Sequence, residues 1–110
     1  MLASKHNLKK LTVIIDFNKW QATDRSYDVT SIDPLVDKWK SFDWQVTEID
    51  GNDMKSLQES IYMDRTNKPL AIIGHTVKGK GISFMEDDNN WHYKTPNEEE
   101  LQKAREELGF

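Results

Sequence analysis

A parallel α/β sheet built from right-handed βαβ crossovers is the fold this sequence predicts. Leu11–Phe17 (LTVIIDF) is a short, β-branched apolar run that reads as a strand buried on both faces, as in a parallel sheet. The order of the remaining elements supports it: strand, helix, strand, helix, strand, long loop, helix.

The elements follow in turn. Residues 18–31 are polar and without periodicity, and Asp33-Pro34 then offers an N-cap and a first-turn proline to a helix with Leu35, Val36 and Trp39 on one face. Trp44–Ile49 alternates apolar and polar residues with period two, which suits a strand nearer the sheet edge, and Asp50-Gly51 closes it. Asp53 is placed to cap a second helix carrying Met54, Leu57 and Ile61 at helical spacing. Asn67-Lys68-Pro69 ends that region ahead of the third strand, Leu70–Ile73. Residues 74–96 form a long loop, and Asn97 with Glu100 makes a capping-box start to a last helix bearing Leu101, Ala104 and Leu108, with Gly109 as its stop.

Composition narrows the class. With 110 residues, 36% hydrophobic and 31% charged, the chain holds one small domain and no second one. The net charge of −4 and the scattering of Lys and Arg among acids argue against a nucleic-acid partner. There is no cysteine, which excludes disulfides and thiolate chemistry. No apolar stretch reaches the roughly 18 residues of a membrane span, and the first residues lack the apolar centre of a signal peptide, so the expected address is the cytoplasm. Three strands are few for a sheet that usually runs to about five or six. The first eight residues, with Leu2, His6 and Leu8, read as the tail of a helix. Residues 1–110 are therefore expected to form a single partial domain.

In parallel α/β sheets ligands bind at the carboxyl ends of the strands. After the first strand comes Asp16-Phe17-Asn18-Lys19-Trp20-Gln21, where the Asn18 amide oxygen and a backbone carbonyl two residues on are hard oxygen donors suited to Mg²⁺ or Ca²⁺ held against a diphosphate. A plain turn cap is the competing reading of Asn18. The third strand leads into His75-Thr76-Val77-Lys78-Gly79-Lys80-Gly81, whose glycines allow close backbone approach and whose lysines can meet phosphate. It matches neither a P-loop nor a dinucleotide fingerprint. His92 is a candidate phosphate donor or proton carrier. His6, His75 and His92 show no metal-ligand spacing.

Four stretches, LTVIIDFNKWQATDR (Leu11–Arg25), WQVTEIDGND (Trp44–Asp53), PLAIIGHTVKGKGISFME (Pro69–Glu86) and NWHYKTPNEEEL (Asn90–Leu101), together resemble transketolase in order and spacing. The resemblance spans essentially the whole chain and identifies it as similar to the C-terminal half of that family's thiamine-diphosphate-binding domain. It implies that Asn18 matches the asparagine whose side chain ligates the divalent metal, Mg²⁺ or Ca²⁺. Trp20 matches the residue that offers its backbone carbonyl to the same ion. His92 matches a histidine near the cofactor diphosphate and the substrate channel, so the resemblance makes it both a cofactor contact and a catalytic group. The Lys78–Gly81 loop lies, in the family, near the substrate entrance. The implied reaction moves a two-carbon ketol unit from a ketose phosphate to an aldose phosphate, as in the pentose phosphate pathway, with thiamine diphosphate as electron sink.

Departures from the family pattern shape the expectation. No Gly-Asp-Gly occurs anywhere in the chain, so Asn18 is without the aspartate that completes the family's metal site. The glutamate that protonates the aminopyrimidine, and the pyrimidine pocket, belong to a different domain of the family. Asp24 and Asp43 stand where glycine is usual, Asn52 where histidine is usual, and Tyr93 where glycine normally follows the histidine. The first three tolerate positive φ, whereas the Tyr93 ring is expected to narrow the channel or reorient His92. The chain alone is thus expected to be inactive. Its expected partners are an upstream half-domain and a pyrimidine-binding domain or subunit, in a homo- or hetero-oligomer. Two other readings stay open: a non-catalytic assembly module that pairs through a sheet edge, and a related branch such as a dihydroxyacetone or deoxyxylulose phosphate synthase.

Overall fold

A computed structural model describes residues 1–110. Three parallel strands, β1 (Thr12–Phe17), β2 (Gln45–Asp50) and β3 (Leu70–His75), form one sheet in the order β1-β3-β2. Thr12 and Gln45 both lie opposite Leu70, so all three strands start level and end together at Phe17, Asp50 and His75. Helices α1 (Leu2–Lys5), α2 (Ser26–Val29), α3 (Leu35–Ser41), α4 (Met54–Tyr62) and α5 (Glu98–Leu108) complete the chain, with a 3₁₀ turn at Asn89–His92. No helix is long and apolar enough to cross a membrane.

The core is the central strand. Leu70, Ala71, Ile72 and Ile73 are fully buried although they alternate faces, which requires cover on both sides of β3. The strand order accounts for it: the step from β1 to β2 and the step back from β2 to β3 run in opposite directions across the sheet, and crossovers of the usual right hand then lie on opposite faces. Trp44 leads into β2 and meets Trp39 of α3 edge to face at 4.7 Å, joining that helix to the core. Ser60 and Leu57 face inward from α4, and the Ser60 hydroxyl is satisfied by the Leu57 carbonyl at 2.8 Å.

Several expectations are corrected. The first strand is not buried on both faces: Ile14 is 54% exposed, because β1 is an edge strand and both α3 and α4 pack on β2. Asp33 does not cap α3. Pro34 occupies the N-cap position without a side-chain bond. Met54 lies at helical spacing but is 73% exposed and is no part of the core. Neither α2 nor the 3₁₀ turn carries a periodic pattern, so neither was predictable. The α4 cap is as expected, with Asp53 accepting from the Lys55 and Ser56 amides at 3.1 Å each. So is the reciprocal Asn97–Glu100 box, at 2.9 Å in both directions, and Gly109 ends α5 at φ +78°.

Candidate functional site

The level strand ends bring three loops to one side of the sheet. Asp16, at the end of β1, accepts a short hydrogen bond from the Thr76 hydroxyl beyond β3. Gly51, after β2, donates its amide to the His75 carbonyl at 2.9 Å, and Asn52 Oδ1 accepts the Val77 amide at 2.8 Å. Together Asp16, Asn18, Asn52, Thr76, Lys78 and Lys80 line an open cleft of about 470 Å³ above the sheet. Lys80 is engaged by Glu86 at 3.2 Å, whereas Lys78 makes no ion pair. The glycines of this loop serve its own folding: Gly79 stands at φ +74°, and a Cβ there would collide with the Met85 carbonyl.

Asn18 forms an Asx turn in which Oδ1 accepts the Trp20 amide proton at 2.9 Å. Its Nδ2 faces Asp16 Oδ2 at 3.4 Å, which orients the amide oxygen away from that carboxylate. An amide oxygen has two lone pairs, so Oδ1 keeps one acceptor site after bonding Trp20. The Trp20 carbonyl accepts no hydrogen bond, since the neighbouring Lys19 and Asp24 carbonyls take the Ser26 and Gln21 amides at 2.9 and 2.8 Å. The remaining lone pair of Asn18 Oδ1 and the Trp20 carbonyl are hard oxygens of the type a Mg²⁺ or Ca²⁺ ion takes, and they form an incomplete set, because no cluster of three acidic or imidazole groups lies within reach of one point.

The Trp20 side chain turns to a second concavity, where its indole Nε1 donates to Asp87 Oδ1 at 2.8 Å. Arg25 grips the same carboxylate with both η nitrogens at 2.7 and 2.6 Å and stacks over the Trp20 ring at 3.7 Å. The Arg25 and then the Trp20 hydrogen bonds hold the Asp87 carboxyl below its usual range, and Asp87 raises the guanidinium further. Asp87 lies 62 residues from Arg25, and nothing in the local pattern marks the pair.

His92 is exposed, lines neither the Asn18 cleft nor the Trp20 concavity, and makes no ring hydrogen bond within the chain. The Tyr93 ring packs edge-on against it at 4.6 Å. His75, for which the sequence offers little functional support, sits at the strand ends with Nε2 3.0 Å from Glu48 Oε1. Of the three positions expected to tolerate positive φ, only Asp43 uses it, at φ +63°.

Residues 1–110 match the sequence profile of the transketolase thiamine diphosphate binding domain. The chain belongs to the transketolase family. This transketolase-family chain is 38% identical over 109 residues to an apulose-4-phosphate transketolase subunit from Actinobacillus succinogenes, covering 98% of this chain and 40% of that relative. It is 33% identical over 110 residues to the 6-deoxy-6-sulfo-D-fructose transketolase subunit SqwG of Clostridium sp. strain MSTE9, again covering 98% of this chain and 40% of the relative. Its fold superposes on the crystal structure of transketolase from Campylobacter jejuni with a TM-score of 0.85 at 26% identity, over 99% of this chain and 17% of the larger one. The chain thus spans about two fifths of the length of the subunits it matches.

Proposed function

We propose that this chain is a partial domain holding the metal–diphosphate end of thiamine diphosphate in an enzyme that transfers a two-carbon ketol unit between sugar phosphates. The observation that carries the reading is the Asn18–Trp20 turn at the carboxyl end of β1, where Asn18 Oδ1 accepts the Trp20 amide at 2.9 Å and the Trp20 carbonyl accepts no hydrogen bond. Both would bind Mg²⁺, or Ca²⁺ in its place, and Lys78 in the adjoining cleft would offset diphosphate charge. His92, free at both ring nitrogens, would donate to phosphate or stabilise charge at the substrate side. When bound, the cofactor supplies the electron sink for carbon–carbon cleavage; this chain supplies position and electrostatics.

Two oxygen donors are too few for a closed divalent-cation site. In this reading a third protein ligand and the pyrimidine pocket come from an upstream half-domain and a further domain or subunit, and the 110 residues alone are inactive. The names of two relatives describe them as subunits, which supports assembly from several chains. Those names also specify apulose 4-phosphate and a sulfonated fructose, so we extend the substrate class to ketoses bearing an anionic group. The working compartment in this reading is the cytoplasm.

The test is calorimetric titration of Mg²⁺ with thiamine diphosphate into the chain, alone and after reconstitution with the complementary subunit, followed by ketol transfer. Activity is expected only on reconstitution, and Asn18→Ala should raise the Mg²⁺ concentration that activity requires. Turnover by the chain alone would overturn the shared-site reading. An unaltered Mg²⁺ requirement in Asn18→Ala would overturn the ligand assignment.

A second reading, a non-catalytic assembly module, draws on the open β1 edge. Capture of a partner with no thiamine-enzyme sequence, together with no gain of activity on reconstitution, would favour it.

A further inference from the structure

We infer that Arg25 and Asp87 are positioning residues: they latch the Trp20 turn to the loop after β3 and so set where the Trp20 carbonyl points. The functional half of this inference rests on Trp20 being a metal ligand; the latch itself does not.

The turn is not self-supporting. Lys19 enters it at φ +67°, a region that residues other than glycine hold only when their surroundings dictate it. Local support is the Asn18 Asx turn and one small bridge, Ser26 N–H to the Lys19 carbonyl and Gln21 N–H to the Asp24 carbonyl. From the far loop, Asn89 Nδ2 donates to the Gln21 and Ala22 carbonyls at 3.1 and 3.3 Å, and the contacts that hold the Trp20 side chain itself pass through Asp87. One of its oxygens takes both the Trp20 indole proton, at 2.8 Å, and Arg25 Nη1, at 2.7 Å. The other takes Arg25 Nη2 at 2.6 Å, while the guanidinium plane covers the indole face at 3.7 Å. The indole is thereby held at its edge and on its face, which leaves the Trp20 backbone little freedom to rotate.

Asp87 is itself anchored. It stands at φ +56° and donates its amide to the Lys78 carbonyl at 2.8 Å. Lys78 lines the Asn18 cleft, so the latch joins two walls of the candidate site, the turn after β1 and the loop after β3. Stabilisation alone does not account for the arrangement. The two side chains are 37% and 52% exposed, and solvent-exposed ion pairs contribute little to folding. A forked guanidinium, an indole N–H and one carboxylate specify geometry more than they add stability.

The test is amide hydrogen exchange on the full chain, with a separate titration of Mg²⁺, in the presence of thiamine diphosphate, into the chain reconstituted with its complementary subunit. Arg25→Gln and Asp87→Asn should each speed exchange at Gln21 and Ser26 by about tenfold and leave Ile72 and Ile73 of β3 unchanged. Arg25→Lys, which keeps the charge and loses the fork, should fall between, and the double variant should be no worse than either single one. Unchanged exchange at Gln21 and Ser26, or equal acceleration in β3, would overturn the latch. In the titration, Mg²⁺ affinity should weaken by about tenfold in Arg25→Gln, the size typical of residues that orient metal ligands. A loosened turn with unaltered affinity would overturn the positioning role. Absence of Mg²⁺ binding by the reconstituted unmodified chain would instead count against the ligand reading of Asn18 and Trp20, with the latch decided by exchange.

Discussion

Gly51 and Gly74 pack backbone to backbone where β2 and β3 end: a Cβ on Gly51 would lie 3.0 Å from the Gly74 Cα, and one on Gly74 would lie 3.2 Å from the Gly51 Cα. The contact sits directly beneath the candidate site, because a Gly51 Cβ would also meet the Thr76 methyl at 2.5 Å, and Thr76 is the residue that holds Asp16. Gly51→Ala should therefore destabilise the chain by about 1–3 kcal/mol, the usual effect of overpacking, and Gly74→Ala by less. Urea denaturation checks this. A lowered midpoint at unchanged slope is expected, and a Gly51→Ala midpoint equal to that of the unmodified chain would show that Thr76 moves aside freely.

The last helix depends on its cap more than on packing, since α5 has no buried residue and its first turn carries Glu98, Glu99 and Glu100. Asn97→Ala removes the acceptor for the Glu100 amide and should cost about 0.5–2 kcal/mol of local helix stability. Circular dichroism should show lost helix content, with exchange in β3 unaffected. Ser83→Ala should weaken the other tether of α5, the Ser83–Glu107 contacts at 2.5 and 2.6 Å, and its effect should add to that of Asn97→Ala because the sites are far apart in the helix.

Acid should weaken the structure through identifiable carboxylates. Asp87 is lowered by Arg25, Glu100 by Lys94, Glu107 by the Ser83 hydroxyl, Glu86 by the Gly81 amide and Asp53 by the Ser56 hydroxyl. Each folded value lies below the ordinary 3.8 for Asp or 4.5 for Glu, so the unfolded chain binds more protons on acidification. Their contribution is complete above those ordinary values and is lost as pH falls through the folded ones. Tyr27 is raised above 10.0 by Asp33, so its contribution is present below that value and is lost in strong alkali. Urea midpoints should be level at neutral pH and fall below about pH 4, with a smaller fall in 1 M salt because these groups are exposed. A midpoint that holds from pH 7 to pH 3 would contradict the assignment.

The open side of β1 predicts association. Its outer edge has no strand partner and Ile14 is half exposed beside it, a surface on which copies of the chain can meet. Sedimentation should show concentration-dependent self-association of the isolated chain, reduced by Ile14→Glu. The same substitution should change folding stability by less than about 1 kcal/mol, as expected at an exposed position. Monomeric behaviour at all concentrations would mean that the edge is protected by its own twist and charges.

Much of this chain was readable in one dimension, because the features concerned are local. The apolar runs Leu11–Phe17 and Leu70–Ile73, the alternation in Trp44–Ile49, the Asp53 and Asn97 caps and the Gly109 stop all act within a few residues, and the strands Thr12–Phe17, Gln45–Asp50 and Leu70–His75 and both caps appear within two residues of where the pattern places them. The same holds for Asn18, whose side-chain oxygen meets the Trp20 amide two residues on in an Asx turn. Tertiary structure decided what depends on neighbours. Strand order made β3 central and β1 an edge, which exposed Ile14 despite its apolar context. Chain folding brought Asp87 across the gap to Arg25 and Trp20. The physical reason is range: caps and periodicity are set by bonds and torsions along the chain, whereas an edge, a cleft or a long-range ion pair exists only once distant segments share a surface.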